Sequence, residues 1–253
     1  MIIMYHNVDD TAAFNTVSSI EFENQLKYLK DNYHIVTIDN YVSMLHQKNQ
    51  TDDYVVITFD DGYVNFEEKA LPLIERYSIP VTQFIPVDYI GKYNEWDNNV
   101  SNSIVLPILD NNRLKSLSNH QLITFGSHGM SHNSLRTLSV KEVIYELSES
   151  KKILAEIVSY QIKWFSYPYG QIYDYNHKII SIIKNIGYIA ACSTRFGRKD
   201  SEASLYELHR IEVQPSDTLN DFITKCHKDF HVKQFIKEIM YRFHLYDPLK
   251  KNI

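Results

Sequence analysis

Two aspartates stand side by side after an apolar run in Thr58-Phe59-Asp60-Asp61-Gly62-Tyr63. Like charges this close make it costly to ionise both unless a cation takes one of them. One carboxylate on a metal and the other acting as a general base resolves the repulsion. An Asp-Gly turn with a helix N-cap is the alternative that needs no chemistry. In Gly126-Ser127-His128-Gly129-Met130-Ser131-His132, two histidines four apart can aim at one ion, and imidazole suits zinc and its neighbours. The same spacing arises on solvated helix faces. His227 and His231 repeat it beside Cys226, but no carboxylate pair follows a strand there, and that pair is read as surface. Trp164-Phe165-Ser166-Tyr167-Pro168-Tyr169-Gly170 ends in a Pro-Tyr-Gly turn that can aim a backbone N–H at a ligand. His6 closes the opening run Met4-Tyr5-His6, and its significance depends on its neighbours.

Side chains so far apart in sequence need a scaffold that gathers strand ends. Apolar, β-branched runs predict strands at 1–5, 34–38, 54–59, 81–85, 123–125, 162–165 and 188–192. Helical spacing and capping boxes predict helices between them, among them one after Ser18-Ser19-Ile20-Glu21 and one after Ser139-Val140-Lys141-Glu142. Strands alternating with helices along the whole chain predict one α/β domain with a parallel sheet or barrel, and such folds collect catalytic residues at the carboxyl ends of strands. Residues 87–117 break the pattern and read as a loop insertion with a short helical piece. An amphipathic helix over 232–245, with Val232, Phe235, Ile236, Ile239, Met240 and Phe243 on one face, either packs on its own domain or touches an anionic membrane from outside.

The chain has 253 residues, enough for one sizeable core, and its composition excludes a disordered or collagenous protein. No apolar run is long enough to span a bilayer. Two cysteines rule out both a disulfide framework and a four-thiolate zinc cage. A net charge of −5 argues against a nucleic-acid partner, because such binding draws on Lys and Arg. The aromatic content, with 19 Tyr, 12 Phe and 2 Trp, fits sugar-stacking faces and fits strand propensity equally. With a strand at residues 1–5 and no leader ahead of it, a native start at Met1 implies a cytoplasmic protein.

Together, Thr-Phe-Asp-Asp-Gly-Tyr at 58–63, His-x-x-x-His at 128–132 and Tyr-Pro-Tyr-Gly at 167–170 resemble the NodB-type polysaccharide deacetylases of carbohydrate esterase family 4. The opening Met-Tyr-His-Asn-Val is similar to the permuted branch that contains the poly-N-acetylglucosamine deacetylases. The resemblance implies a distorted (β/α) barrel of about seven parallel strands. It implies Asp61, His128 and His132 as metal ligands, Asp60 as general base and His6 as general acid. It further implies a divalent ion, most naturally Zn2+ with Co2+, Ni2+ or Fe2+ also suited, an oxyanion-binding N–H at Tyr169, and an N-acetylated glycan as substrate. Tyr63, Tyr167, Tyr169 and Trp96 are candidates to stack on sugar rings.

Three departures from the family pattern stand out. Gly129 replaces the usual Ser or Thr after the first histidine, which removes a supporting hydrogen bond. Ser166 stands where many members carry a base-orienting Arg, a charge that Arg210 is expected to supply from Arg210-Ile211-Glu212-Val213. The usual C-terminal Leu-x-His is broken at Glu207-Leu208-His209, so His209 ranks below His6 as the acid. Metal-assisted hydrolysis of an N-acetyl group is the expected reaction. An O-acetyl esterase and an inactive glycan-binding module on the same fold are the alternatives. Without a leader, the expected substrate is a nucleotide- or lipid-linked cell-envelope precursor.

Overall fold

The structure, a computed structural model, describes residues 1–49, 51–98, 100–198 and 200–227, together with 236 and 239–241. Its strands are β1 (Ile2–Tyr5), β2 (Asn7–Val8), β3 (Thr16–Val17), β4 (His34–Ile35), β5 (Tyr54–Phe59), β6 (Val81–Ile85), β7 (Ile123–Ser127), β8 (Trp164–Ser166), β9 (Ala190–Cys192) and β10 (Ile211–Glu212). The helices are α1 (Ser19–Asn32), α2 (Ile38–His46), α3 (Leu71–Tyr77), α4 (Asn111–Leu117), α5 (Val140–Val158), α6 (His177–Ile186) and α7 (Leu219–Cys226).

Seven strands form one parallel sheet in the order β10-β1-β5-β6-β7-β8-β9, and β4 also pairs with β5. Parallel neighbours need crossovers, and the helices supply them. The sheet curls until the chain entering β10 meets the far edge. A parallel bridge joins Cys192 to Leu208, and the Arg210 N–H donates to the Arg195 carbonyl at 2.9 Å. This is the single-domain distorted (β/α) barrel that the resemblance implies, within the parallel sheet or barrel that the alternating pattern predicts.

Strand side chains alternate between two buried environments. Ile2, Val56, Phe84, Trp164, Cys192 and Leu208 share an inner cluster. Ile3, Ile57, Ile85, Phe125 and Phe165 join the helices in the larger outer core. Burial on both faces explains why these strands read as continuous apolar runs rather than alternating ones. The inner-face series also continues past the apolar layer, through Thr58 and Asp60, Ser166, and Arg210 and Glu212, toward the carboxyl ends of the strands.

The strand expected over 34–38 ends at Ile35, because Thr37 caps α2, accepting from the Asn40 N–H at 3.2 Å. Helix α5 opens on a full Ser139/Glu142 capping box, worth about 1 kcal/mol. The insertion contains two 3-10 turns, Val87–Tyr89 and Glu95–Asp97, before α4. Antiparallel bridges Tyr63↔Ile108 and Tyr93↔Pro107 fold it over the end of β5. The amphipathic helix expected over 232–245 lies outside the described residues except at 236 and 239–241. Among the described residues, no helix is long and apolar enough to cross a membrane.

Candidate active site

Strand register brings the motifs together. Tyr5 pairs with Phe59, so His6 and Asp60 leave neighbouring strands side by side. Ser127 pairs with Phe165, which sets His128 against Ser166. After β5 the backbone enters the left-handed region at both Asp61 (φ 73°) and Gly62 (φ 70°). A Cβ on Gly62 would lie 2.8 Å from Ile85 Cδ1, so this turn requires glycine. Asp61, His132 (φ 55°) and Tyr169 (φ 59°) are left-handed residues with side chains. Such strain costs on the order of 1–3 kcal/mol each and persists where the surroundings over-determine it.

Asp61, His128 and His132 are buried, and each places a ligand atom within 4.8 Å of the others. Asp61 Oδ1 lies 3.5 Å from His128 Nε2 and 3.3 Å from His132 Nε2. His128 Nδ1 meets the Ser166 carbonyl at 2.8 Å. A carbonyl only accepts, so Nδ1 carries the proton and Nε2 turns its lone pair toward Asp61, the outer-shell pattern of metal-binding histidines. Burial pushes the His128 imidazole down to about 4 despite the pull of Asp60, which leaves it neutral as a ligand must be. Asp61 Oδ1 has no hydrogen-bond donor although it is buried. A carboxylate oxygen without a donor, facing two imidazole nitrogens, fits a divalent cation.

Asp60, also buried, is gripped from the barrel interior. Arg210 donates through Nη1 to Oδ1 at 2.8 Å and through Nη2 to Oδ2 at 2.7 Å, a bidentate pair. Ser166 Oγ donates to Asp60 Oδ2 at 3.2 Å while accepting from Arg210 Nη2 at 2.9 Å. The guanidinium is held in turn by the Ser193 carbonyl at 2.7 Å and Thr58 Oγ1 at 3.3 Å. Burial alone would raise the Asp60 pKa, but Arg210 outweighs it and holds the carboxyl below the usual carboxylate range. Arg210 therefore stands where the departure at Ser166 led us to expect it. Ser166 adds a hydroxyl that bridges the pair.

These groups open into a cleft of about 660 Å³ lined by His6, Asp60, Asp61, Trp96, His128, His132 and Tyr169, among others. His6 Nδ1 is buried without a partner. The N–H of Gly170 donates to the Pro168 carbonyl at 2.7 Å, closing a tight turn around Tyr169. Tyr169 is half exposed and its ring meets His132 edge-on at 5.1 Å. Trp96 lines the cleft too and stacks on His132 at 4.3 Å, so one ring face is committed to the ligand histidine.

Two aromatic assignments need correction. Tyr167 is 0 % exposed, stacks on Tyr175 at 4.2 Å and donates its hydroxyl to the Tyr206 carbonyl. Tyr63 is 3 % exposed and donates to Asp97 at 3.4 Å. Neither offers a face to a sugar; both shape the walls. His209 meets Asp200 at 3.0 Å and does not line the cleft, consistent with its lower rank. His227 meets the Tyr28 hydroxyl at 3.1 Å, far along the chain from the strand-end motifs, while His231 lies outside the described residues.

Glu146 was not singled out in the sequence. This buried residue of α5 accepts from the Met130 N–H at 2.7 Å, the Ser131 N–H at 3.1 Å and the Ser131 hydroxyl. The signal was present: Val143, Glu146, Leu147, Ser150 and Leu154 share one helical stripe, so a carboxylate sits where the pattern demands burial.

A parallel barrel with a carboxylate pair and two histidines converging at its strand ends defines a hydrolase-type α/β site. The family model described as polysaccharide deacetylase matches residues 47–191, more than half the sequence, and the chain belongs to that family. His6 lies ahead of the matched segment. The Poly-beta-1,6-N-acetyl-D-glucosamine N-deacetylase of Staphylococcus aureus (strain MRSA252) is 26% identical over 222 residues, spanning 86% of this chain and 74% of that protein. The YxkH protein of Bacillus subtilis (strain 168) is 29% identical over 216 residues, 85% of this chain and 71% of its own. Among solved structures, IcaB from Ammonifex degensii superposes with a TM-score of 0.76 at 19% identity, covering 90% of this chain and 97% of that one. The Streptococcus pyogenes deacetylase PplD, in complex with acetate, gives 0.73 at 21% identity with the same coverage. The relatives include members of the permuted branch to which the opening Tyr-His segment pointed.

Proposed function

We propose that this chain is a metal-dependent N-deacetylase of a polymeric N-acetylated glycan, with poly-β-1,6-N-acetylglucosamine the first substrate to test. One arrangement carries the reading: an orphaned Asp61 oxygen faces two imidazole nitrogens, beside a carboxylate that Arg210 keeps ionised. Asp61, His128 and His132 would hold a divalent ion, zinc by donor type, which when bound supplies Lewis acidity to the acyl carbonyl and lowers the pKa of water in the site. Asp60 takes the proton of the attacking water. The Tyr169 N–H stabilises the oxyanion of the tetrahedral intermediate. His6 gives a proton to the departing sugar nitrogen, which is a poor leaving group without one.

Five carboxylates line the cleft, Asp60, Asp61, Asp97, Asp174 and Glu212, and no lysine or arginine is among the described lining residues. Beyond the ion and a protonated His6, a diphosphate would meet a surplus of like charge there. This supports a neutral polymer over the nucleotide-linked form of the nucleotide- or lipid-linked precursor expected from the sequence.

N-acetylglucosamine oligomers incubated with the chain should release acetate, with a mass loss of one acetyl unit per sugar attacked. Chelation should abolish release and added zinc should restore it; full activity after exhaustive chelation would refute the metal assignment. His128→Ala should lose both zinc and activity. His6→Ala should keep zinc yet slow N-deacetylation by about 10²-fold or more. The same variant should be less impaired on O-acetylated sugars, whose alkoxide leaving group needs less help; equal impairment on both would argue against the acid role.

A further inference from the structure

We propose that Glu146 is the positioning residue for the His132 side of the metal centre, replacing the support that Gly129 cannot give. The proposal rests on the metal site inferred above and extends it to a residue outside that cluster. The tip of the loop between the two histidines is Met130-Ser131, and successive N–H groups there point at one carboxylate oxygen, Glu146 Oε2, at 2.7 and 3.1 Å. Glu146 Oε1 takes the Ser131 hydroxyl, which itself accepts from Asn133 Nδ2 at 2.8 Å. One helical turn along α5, Ser150 Oγ accepts from Ser127 Oγ at 2.8 Å, and Ser127 Oγ accepts from the Gly129 N–H at 3.2 Å. A single face of α5 thus holds the start of the loop and its tip. From the other side, the N–H groups of Val87 and Asp88 donate to the carbonyls of Gly129 and Met130, each at 3.0 Å.

This grip accounts for two oddities. Gly129 has φ 79°, and a Cβ there would stand 3.1 Å from Glu146 Oε2, so a side chain at 129 would crowd the carboxylate. Glycine and Glu146 form a matched pair, in which the absence of one side chain admits the other. His132 is left-handed, a conformation that costs free energy and needs its preceding residues fixed. Hydrogen bonds to an ionised carboxylate are roughly twice as strong as neutral ones, enough to hold that backbone. Glu146 touches neither substrate nor ion; it acts through the placement of His132.

The test is zinc affinity by competition with a chromophoric chelator, together with the visible spectrum of the Co2+-loaded chain, which reads ligand geometry. Glu146→Ala should weaken zinc binding by about 10- to 100-fold and alter the cobalt spectrum, as loss of outer-shell partners does elsewhere. Glu146→Gln keeps the shape and one acceptor but loses the charge, and should weaken binding by roughly tenfold at most while restoring the cobalt spectrum. Should Glu146→Ala not fold, the Gln variant decides alone, with a loss of about threefold or more expected. Zinc affinity within about twofold of the wild type in Glu146→Gln, or in a folded Glu146→Ala, would overturn the positioning role. A wild-type chain that binds no divalent ion would overturn the metal reading itself, a different result from equal binding by wild type and variant.

Discussion

Asp60→Asn is expected to reduce turnover by about 10² to 10⁴ while zinc content stays at the wild-type level, because a general base is removed and the three ligand side chains are left in place. That range corresponds to about 3–5 kcal/mol in the barrier. The amide cannot take a proton from water, yet it has nearly the shape of the carboxylate. The substitution also strands Arg210, a fully buried guanidinium whose bidentate partner has become neutral. Removing one member of such a pair costs on the order of 3–5 kcal/mol of stability, so turnover must be read well below the variant's own melting temperature. Full activity in a folded, zinc-loaded Asp60→Asn would remove Asp60 from the mechanism. The pH dependence of stability has a defined sign. The folded Asp60 pKa is depressed below the unfolded value of about 3.9, so the unfolded chain binds more protons between the two values. Stability from this group is fully present above about pH 4 and is lost as pH falls through the folded pKa. Acid denaturation of Asp60→Asn should therefore be shallower than that of the wild type by up to one proton.

What the sequence disclosed follows from where the information lies. Asp60, Asp61, His128 and His132 are local: each follows an apolar run that can only be a strand, and the rule that sites gather at strand ends needs no coordinates. Arg210 was legible through a vacancy, since Ser166 cannot orient a carboxylate by charge. Its reach of 150 residues to Asp60 depends on barrel closure, which no local pattern encodes. Tyr63 and Tyr167 were misread because a tyrosine beside a motif looks the same whether its ring faces the cleft or the core. Period-2 alternation would have placed Tyr167 next to inner-facing Ser166 and thus toward the outer core, where its ring meets that of Phe165 edge-on. Glu146 was missed for a related reason: a helical stripe was traced through its apolar members alone, and the polar positions within it were passed over. In a buried stripe, those positions are the informative ones.

Removing Arg210 should produce a large loss of stability, and the pattern of its rescue distinguishes positioning from packing. In Arg210→Met, Asp60 keeps a donor in Ser166 but loses the charge that outweighs its burial, and a buried carboxylate without a cation is expected to cost about 3–5 kcal/mol. With the strongest opposition to burial gone, the Asp60 pKa should rise, so the base is protonated over a wider acid range and the acid limb of kcat/KM moves to higher pH. A guanidinium that only fills space would leave that limb in place. Arg210→Lys restores a charge but not two parallel N–H bonds, and should fall between the wild type and Arg210→Met in both stability and pH profile. The double variant Asp60→Asn with Arg210→Met removes both charges at once. Because uncompensated burial is the main penalty in each single variant, the double should recover much of the stability that either single loses, with a coupling of up to a few kcal/mol. Its activity should stay at the Asp60→Asn level, since no base returns. Thermal unfolding and acetate release on the four chains of this cycle supply the measurement. Additive stability losses would mean that the pair is held by the surrounding fold and not by each other, and an unmoved acid limb in Arg210→Met would deny the guanidinium any hold on the base.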